Sequence, residues 1–157
     1  MLSYTWVDTY KNFYSKTTIK KVTNVWHSIK NLSQQTKNPK FYFAVAKIDK
    51  GKIIGLITVR KVNDNTIFMQ RLYVHPKYQR QGVGKKLMDK SVKYFSAKKI
   101  KLEVEERNVK GISFYMKNGF KKIGKKKEKV EGEEAAAPAP AAGTGAEVKK
   151  EKPAEKK

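Results

Sequence analysis

A chain of 157 residues has room for one domain and an appendage, with a moderate buried core. It contains no cysteine, which excludes a disulfide framework, a thiolate metal site and a cysteine nucleophile. The net charge is +22, and residues 1–130 carry all of the excess, with 31 Lys/Arg against 8 Asp/Glu.

A field of that sign attracts polyanions, including nucleic acid, anionic membrane surface and the phosphates of a nucleotide. Only Arg60, Arg71, Arg80 and Arg107 are arginines, and the rest of the excess is Lys, as an AT-rich coding sequence produces. The charge therefore speaks of association and not of fold. The opening Met1-Leu2-Ser3-Tyr4-Thr5-Trp6-Val7-Asp8 lacks the basic start and apolar core of a signal peptide. No run reaches the roughly 18 apolar residues of a membrane span. The expectation is a soluble cytoplasmic protein with no membrane partner.

Two helices come first. Trp6, Val7, Tyr10, Phe13 and Tyr14 make one apolar stripe, and Ile19, Val22, Val25, Trp26 and Ile29 make a second. Ser15 or Thr17 is placed to cap the second helix, and the polar run Asn31 to Lys40 reads as a loop. Strands follow over Phe41 to Ile48 and Lys52 to Arg60, joined at Asp49-Lys50-Gly51. Asn63-Asp64-Asn65 turns the chain into a third strand, Thr66 to Val74. Short turns make these three antiparallel. A helix from about Gly82 to Ala97 then leads to a strand over Ile100 to Glu105, an order that implies a parallel pair with a right-handed crossover. Asn108 caps a short helix running to about Met116, Asn118-Gly119 closes it, and Phe120 to Ile123 is a brief last strand. The result is an α/β (α+β) fold with a mixed central sheet.

From Lys125 the character changes to Lys, Glu, Ala and Pro, with almost no larger apolar side chains. Such a segment cannot bury enough surface to offset its ordering entropy. The expected organisation is a folded domain over 1–129 and a disordered tail over 130–157.

The most informative stretch is Leu72-Tyr73-Val74-His75-Pro76-Lys77-Tyr78-Gln79-Arg80-Gln81-Gly82-Val83-Gly84. A strand ends at Pro76 and a glycine-bearing loop feeds an amphipathic helix marked by Val83, Leu87, Ser91 and Phe95. Unpaired N–H groups and the positive end of that helix suit an anion such as a diphosphate. Gly82 and Gly84 lack a Cβ and let it approach the main chain.

Taken together, the residues resemble the GNAT superfamily of acyl-CoA-dependent N-acetyltransferases over about residues 5 to 124. Gln79-Arg80-Gln81-Gly82-Val83-Gly84 matches its Gln/Arg-x-x-Gly-x-Gly/Ala signature. Asn108 with Ser113-Phe114-Tyr115-Met116-Lys117-Asn118-Gly119-Phe120 matches its second half, and Trp6-Val7-Asp8-Thr9-Tyr10 resembles its Trp-x-x-Thr-Tyr opening. The resemblance implies helices on both faces of the sheet. It also implies a fold that here lacks the family's first and last strands, so that a homodimer would cover an open edge.

It further implies acetyl-CoA as donor, an amine as acceptor, no metal, and direct attack of the amine on the thioester. Pantetheine would lie between splayed strands, bonded by main-chain groups of Leu72, Tyr73 and Val74, with the Val74 N–H polarising the carbonyl. Gln79, Arg80, Gln81, Gly82, Val83, Gly84 and Lys85 would cradle the diphosphate; the Arg80 and Lys85 side chains read equally as a solvated basic face. Tyr115 is the candidate acid for the departing thiolate, against packing in the core as Phe114 does. Asn108 caps its helix and, by resemblance, contacts the cofactor. Glu103 is the candidate base, against pairing with a lysine, and Glu105 lies on the same face of its strand. The acceptor would be a small molecule, a polyamine or a protein amino group, and a polycationic polyamine needs an acidic pocket on so basic a chain. The alternative is a catalytically weak CoA-binding or nucleic-acid-associated basic module.

Overall fold

The computed structural model describes residues 2–125 and 145–151. Three helices open the chain: α1 (Leu2–Tyr10), α2 (Lys16–Trp26) and α3 (Ile29–Lys37). Ser15 caps α2 by accepting from the Thr18 N–H at 3.1 Å. The third helix replaces the loop expected over Asn31 to Lys40. Its side chains show no buried stripe, so periodicity could not mark it. What holds it is non-periodic: Ser28 accepts from the Asn31 N–H at 3.2 Å, and Gln35 accepts from the Arg71 guanidinium at 2.7 Å. Ile29, assigned to the second stripe, instead begins α3 and is exposed.

The strands are β1 (Phe41–Lys47), β2 (Ile53–Asn63), β3 (Thr66–Val74), β4 (Lys99–Glu105), β5 (Lys121–Lys125) and β6 (Gly145–Glu151). Helix α4 (Val83–Phe95) connects β3 to β4, and α5 (Val109–Lys117) connects β4 to β5. The sheet order is β1-β2-β3-β4-β6-β5. Only β3 and β4 run parallel, across the α4 crossover; the other pairs are antiparallel.

The last strand is therefore present, and it corrects the expected tail. Residues 145–151 insert between β4 and β5, while 126–144 and 152–157 lie outside the described residues. With Ala146 and Val148 as its sole apolar side chains, β6 is held by main-chain ladders on both edges. A composition argument does not register that kind of stabilisation. No strand precedes α1 among the described residues.

The core lies under α4 and α5. Ile57, Val59, Ile67, Met69, Ile100, Leu102 and Val104 present one face of the sheet to Leu87 and Met88. Trp6, Ile19 and Trp26 are buried in the α1–α3 layer. Among the described residues no helix is long and apolar enough to cross a membrane.

Candidate active site

The site begins where two strands part. β3 and β4 are paired from Thr66↔Lys99 to Met69↔Leu102, yet β3 runs on to Val74 and β4 to Glu105. A bulge accompanies the parting: Val59 pairs with Met69 and Thr58 with Arg71, leaving Gln70 with no opposite residue on β2. A bulge sharpens the local twist and shifts the side-chain alternation by one. Before it, Ile67 and Met69 face α4. After it, Leu72 packs against the α4 core and Val74 approaches Gly84, while Arg71 and Tyr73 meet Trp26 and His27 on the opposite side.

Main-chain direction follows from one bond. The His75 N–H donates to the Ile54 carbonyl at 2.8 Å, so alternation turns Tyr73 toward β2 as well, and Leu72 and Val74 into the splay. The Val74 carbonyl there accepts from the Gln79 side chain at 3.0 Å. Of the three expected pantetheine partners, Leu72 and Val74 offer main-chain groups. Tyr73 does not, and its ring faces α1 and α2 instead.

The loop after β3 is shaped by two left-handed residues, Arg80 at φ 61° and Gly82 at φ 78°. No side chain caps α4, so the first N–H groups of the helix, at Val83, Gly84 and Lys85, have no intrahelical partner. The two glycines do different work. A Cβ on Gly82 would meet nothing within 4 Å, whereas one on Gly84 would sit 3.1 Å from the Phe114 ring. Gly82 leaves open space before the helix, and Gly84 lets α4 lie against α5. Lys85 bonds Asp89 at 2.6 Å on the exposed surface, so that carboxylate competes with any phosphate for it. Gln81 donates to the Lys77 carbonyl at 3.0 Å and steadies the loop.

Tyr115 belongs to an aromatic cluster. Tyr115 packs edge-on against Phe114 and Phe120, at 5.4 and 5.5 Å between centroids. Burial, followed by the electrostatic influence of Tyr10 and Tyr73, pushes its phenol well above the ordinary value. It stays protonated throughout the neutral range, as a proton donor must. Tyr73 is likewise raised, chiefly by burial, against a lowering hydrogen bond with Trp6. Tyr10 is raised by burial despite a hydrogen bond with Asn108. Asn108 caps α5 by accepting from the Gly111 N–H at 2.9 Å. Trp6 and Tyr10, read from the sequence as part of an apolar stripe and of a motif, pack on each other with ring centroids 4.4 Å apart.

Glu103 and Glu105 share the face of β4 opposite Ile100, Leu102 and Val104. Glu105 is the more buried, and both of its oxygens are engaged: Tyr14 donates to Oε2 at 2.7 Å and Arg107 Nε to Oε1 at 3.1 Å. Burial raises its carboxyl pKa, but these bonds outweigh it and hold the value below the usual range. Among the described residues, no three His, Asp or Glu side chains gather as a metal site.

Splayed strands, an uncapped glycine-led helix and a half-buried phenol define an acyl-CoA-dependent transferase site. Residues 5–120 match the acetyltransferase (GNAT) family, to which the chain belongs. It is an N-acetyltransferase that takes acetyl from acetyl-CoA and delivers it to an amine. A spermidine N(1)-acetyltransferase of Thermoplasma acidophilum is 32% identical over 123 residues, covering 74% of this chain and 75% of that one. The crystal structure of the PaiA N-acetyltransferase from Thermoplasma acidophilum, in complex with coenzyme A, superposes with a TM-score of 0.76. It is 25% identical and covers 96% of this chain and 87% of that chain. A GNAT acetyltransferase from Elizabethkingia anophelis with acetyl-CoA bound shares the fold at 19% identity and a TM-score of 0.59, covering 83% and 87%.

Proposed function

We propose that the acceptor is a small primary amine of the polyamine class, and that the residues around the splay divide the work as follows. Acetyl-CoA supplies an acetyl thioester. Leu72 and Val74 hold the pantetheine by main-chain bonds, and the N–H groups from Gln79 to Lys85 hold the diphosphate, with Asn108 beside them. The Val74 N–H stabilises the negative charge that develops on the thioester oxygen as the amine attacks. Glu103 takes the proton that the attacking nitrogen sheds, and Tyr115 gives one to the departing sulfur. The nitrogen–carbon bond forms, the carbon–sulfur bond breaks, and the two protons balance.

One observation carries this reading: the β3–β4 ladder ends at Met69↔Leu102 while both strands continue. Leu72 and Val74 are left aimed at a gap of the kind an extended pantetheine fills as an added strand. The acceptor class is supported by the 32% identical spermidine acetyltransferase. A homodimer over the open β1 or β5 edge and a cytoplasmic location belong to the same proposal; light scattering checks the former.

The test is thiol release from acetyl-CoA in the presence of spermidine, putrescine, a lysine peptide and a nucleoside amine. Turnover should be fastest with the polyamines, and Tyr115→Phe should lower kcat by about a hundredfold, the low end for a general acid. Saturable coenzyme A binding with no thiol release on any amine sinks the enzymatic reading. Salt-sensitive nucleic-acid binding in that case favours the basic module instead.

A further inference from the structure

Side chains at the end of β4 and just after it reach across to the turn that follows α1. Glu105 accepts from the Tyr14 hydroxyl at 2.7 Å. Arg107 bonds Glu105 at 3.1 Å and donates to the Phe13 carbonyl at 3.3 Å. Its guanidinium also lies 5.4 Å from the Phe13 ring centre and 5.1 Å from that of Tyr14. The Glu105 side chain is 5% exposed, so its charge is removed from water and satisfied by these partners.

What the connection grips is an aromatic ladder. Trp6 and Tyr10 lie on α1 and Tyr14 in the turn that follows it, with centroids 4.4 Å apart for Trp6–Tyr10 and 5.9 Å for Tyr10–Tyr14. Helix α1 also reaches the end of β3, where Tyr4 stacks on His75 with ring centroids 5.4 Å apart. Helix α1 lies on the face of the sheet opposite α4 and α5. The diphosphate loop leads into α4, on the other face of the sheet.

We infer that Glu105 is a positioning residue: with Arg107 and Tyr14 it fastens the end of α1 to β4 and fixes the wall that seats the acceptor amine. This rests on the proposed acetyl transfer. It gives Glu105 a role distinct from that of Glu103 on the same strand face. An uncharged substitute loses the pairing with Arg107 and weakens the bond to Tyr14, and the end of α1 is freed.

Glu105→Gln and Tyr14→Phe test it, alone and combined, beside Ile57→Val, a substitution at a fully buried core position away from the clamp. Glu105→Gln should raise the acceptor KM by about tenfold, the effect of losing one charge-assisted hydrogen bond, with the coenzyme A Kd within twofold of the parent. Ile57→Val should leave the acceptor KM unchanged. The double variant should be little worse than Glu105→Gln alone, because both remove the same bond. Hydrogen exchange of residues 4–14 should quicken in Glu105→Gln and not in Ile57→Val. Unchanged acceptor KM, or strictly additive effects, overturns the positioning role. Unchanged exchange over residues 4–14 overturns the clamp whatever the kinetics, so its failure is distinct from a failure to turn over any amine.

Discussion

At the scale of single residues, two glycines separated by one valine have opposite reasons to exist. Gly82 needs its left-handed backbone, which costs an L-residue about 1–2 kcal/mol, and faces open space. Gly84 needs its missing side chain, because Phe114 stands 3.1 Å from the place a Cβ would take. Gly84→Ala should therefore destabilise by about 1–3 kcal/mol through overpacking of α4 against α5, read as a fall in Tm. Gly82→Ala should lower Tm less, yet weaken coenzyme A by about tenfold, the worth of one charge-assisted bond. Calorimetry beside a melting curve separates the two. Equal losses in both measurements, for both variants, would remove the distinction. The sequence motif names both glycines alike, and only the neighbours tell them apart.

Among elements, the junction of α2 with the sheet is the most unusual. Arg71 is buried, stacks on Trp26 at 5.3 Å and bonds the Trp26 carbonyl at 3.2 Å. His27, at the end of α2, has its pKa lowered to about 4, by burial first and by Arg71 second. In the unfolded chain it titrates near 6.5, so between pH 6.5 and 4 the unfolded state binds the extra proton and stability falls with falling pH. The loss should be on the order of 2 kcal/mol after allowance for partial solvent screening, or roughly 6–10 °C in Tm. Glu105, whose folded pKa is depressed, adds a separate loss that starts below the ordinary glutamate value. His27→Phe should flatten the melting profile between pH 6.5 and 4 and leave the lower branch intact. An unchanged slope in that variant would assign the acid sensitivity elsewhere.

The same elements show what the sequence makes legible. β1 to β3, α4, β4 and α5 carry strong local signals: alternation, Asn and Gly turns, a four-residue apolar line, an Asn cap. They were readable to within a few residues. Helix α3 and strand β6 were not, since each is held by contacts remote in sequence or by main-chain ladders that no side-chain period encodes. At the site, the glycine loop and Tyr115 were legible because they sit in short motifs. Tyr14 and Glu105, 91 positions apart, carry no pattern at all. The bulge at Gln70, which re-aims Leu72 and Val74, is likewise invisible in a run of strand-forming residues.

For the whole molecule, β6 closes the sheet. It pairs with β4 along its full length and supplies the strand partner of β5. Deleting residues 145–157 leaves two unpaired edges in the interior of the sheet. The expected loss exceeds about 5 kcal/mol, the scale of a marginal domain's entire stability. Such a chain should show no cooperative melt and should aggregate on size exclusion. A truncated chain with a sharp transition and normal coenzyme A binding would show that the first five strands suffice.

The position of β6 also orders events during synthesis. β5 ends at Lys125 and β6 at Glu151, so a translating ribosome takes on the order of one to five seconds to deliver the closing strand after its neighbour. Throughout that interval β4 and β5 have been made with no strand to lie between them. The nascent polypeptide cannot finish its sheet until the last of these strands has left the exit tunnel.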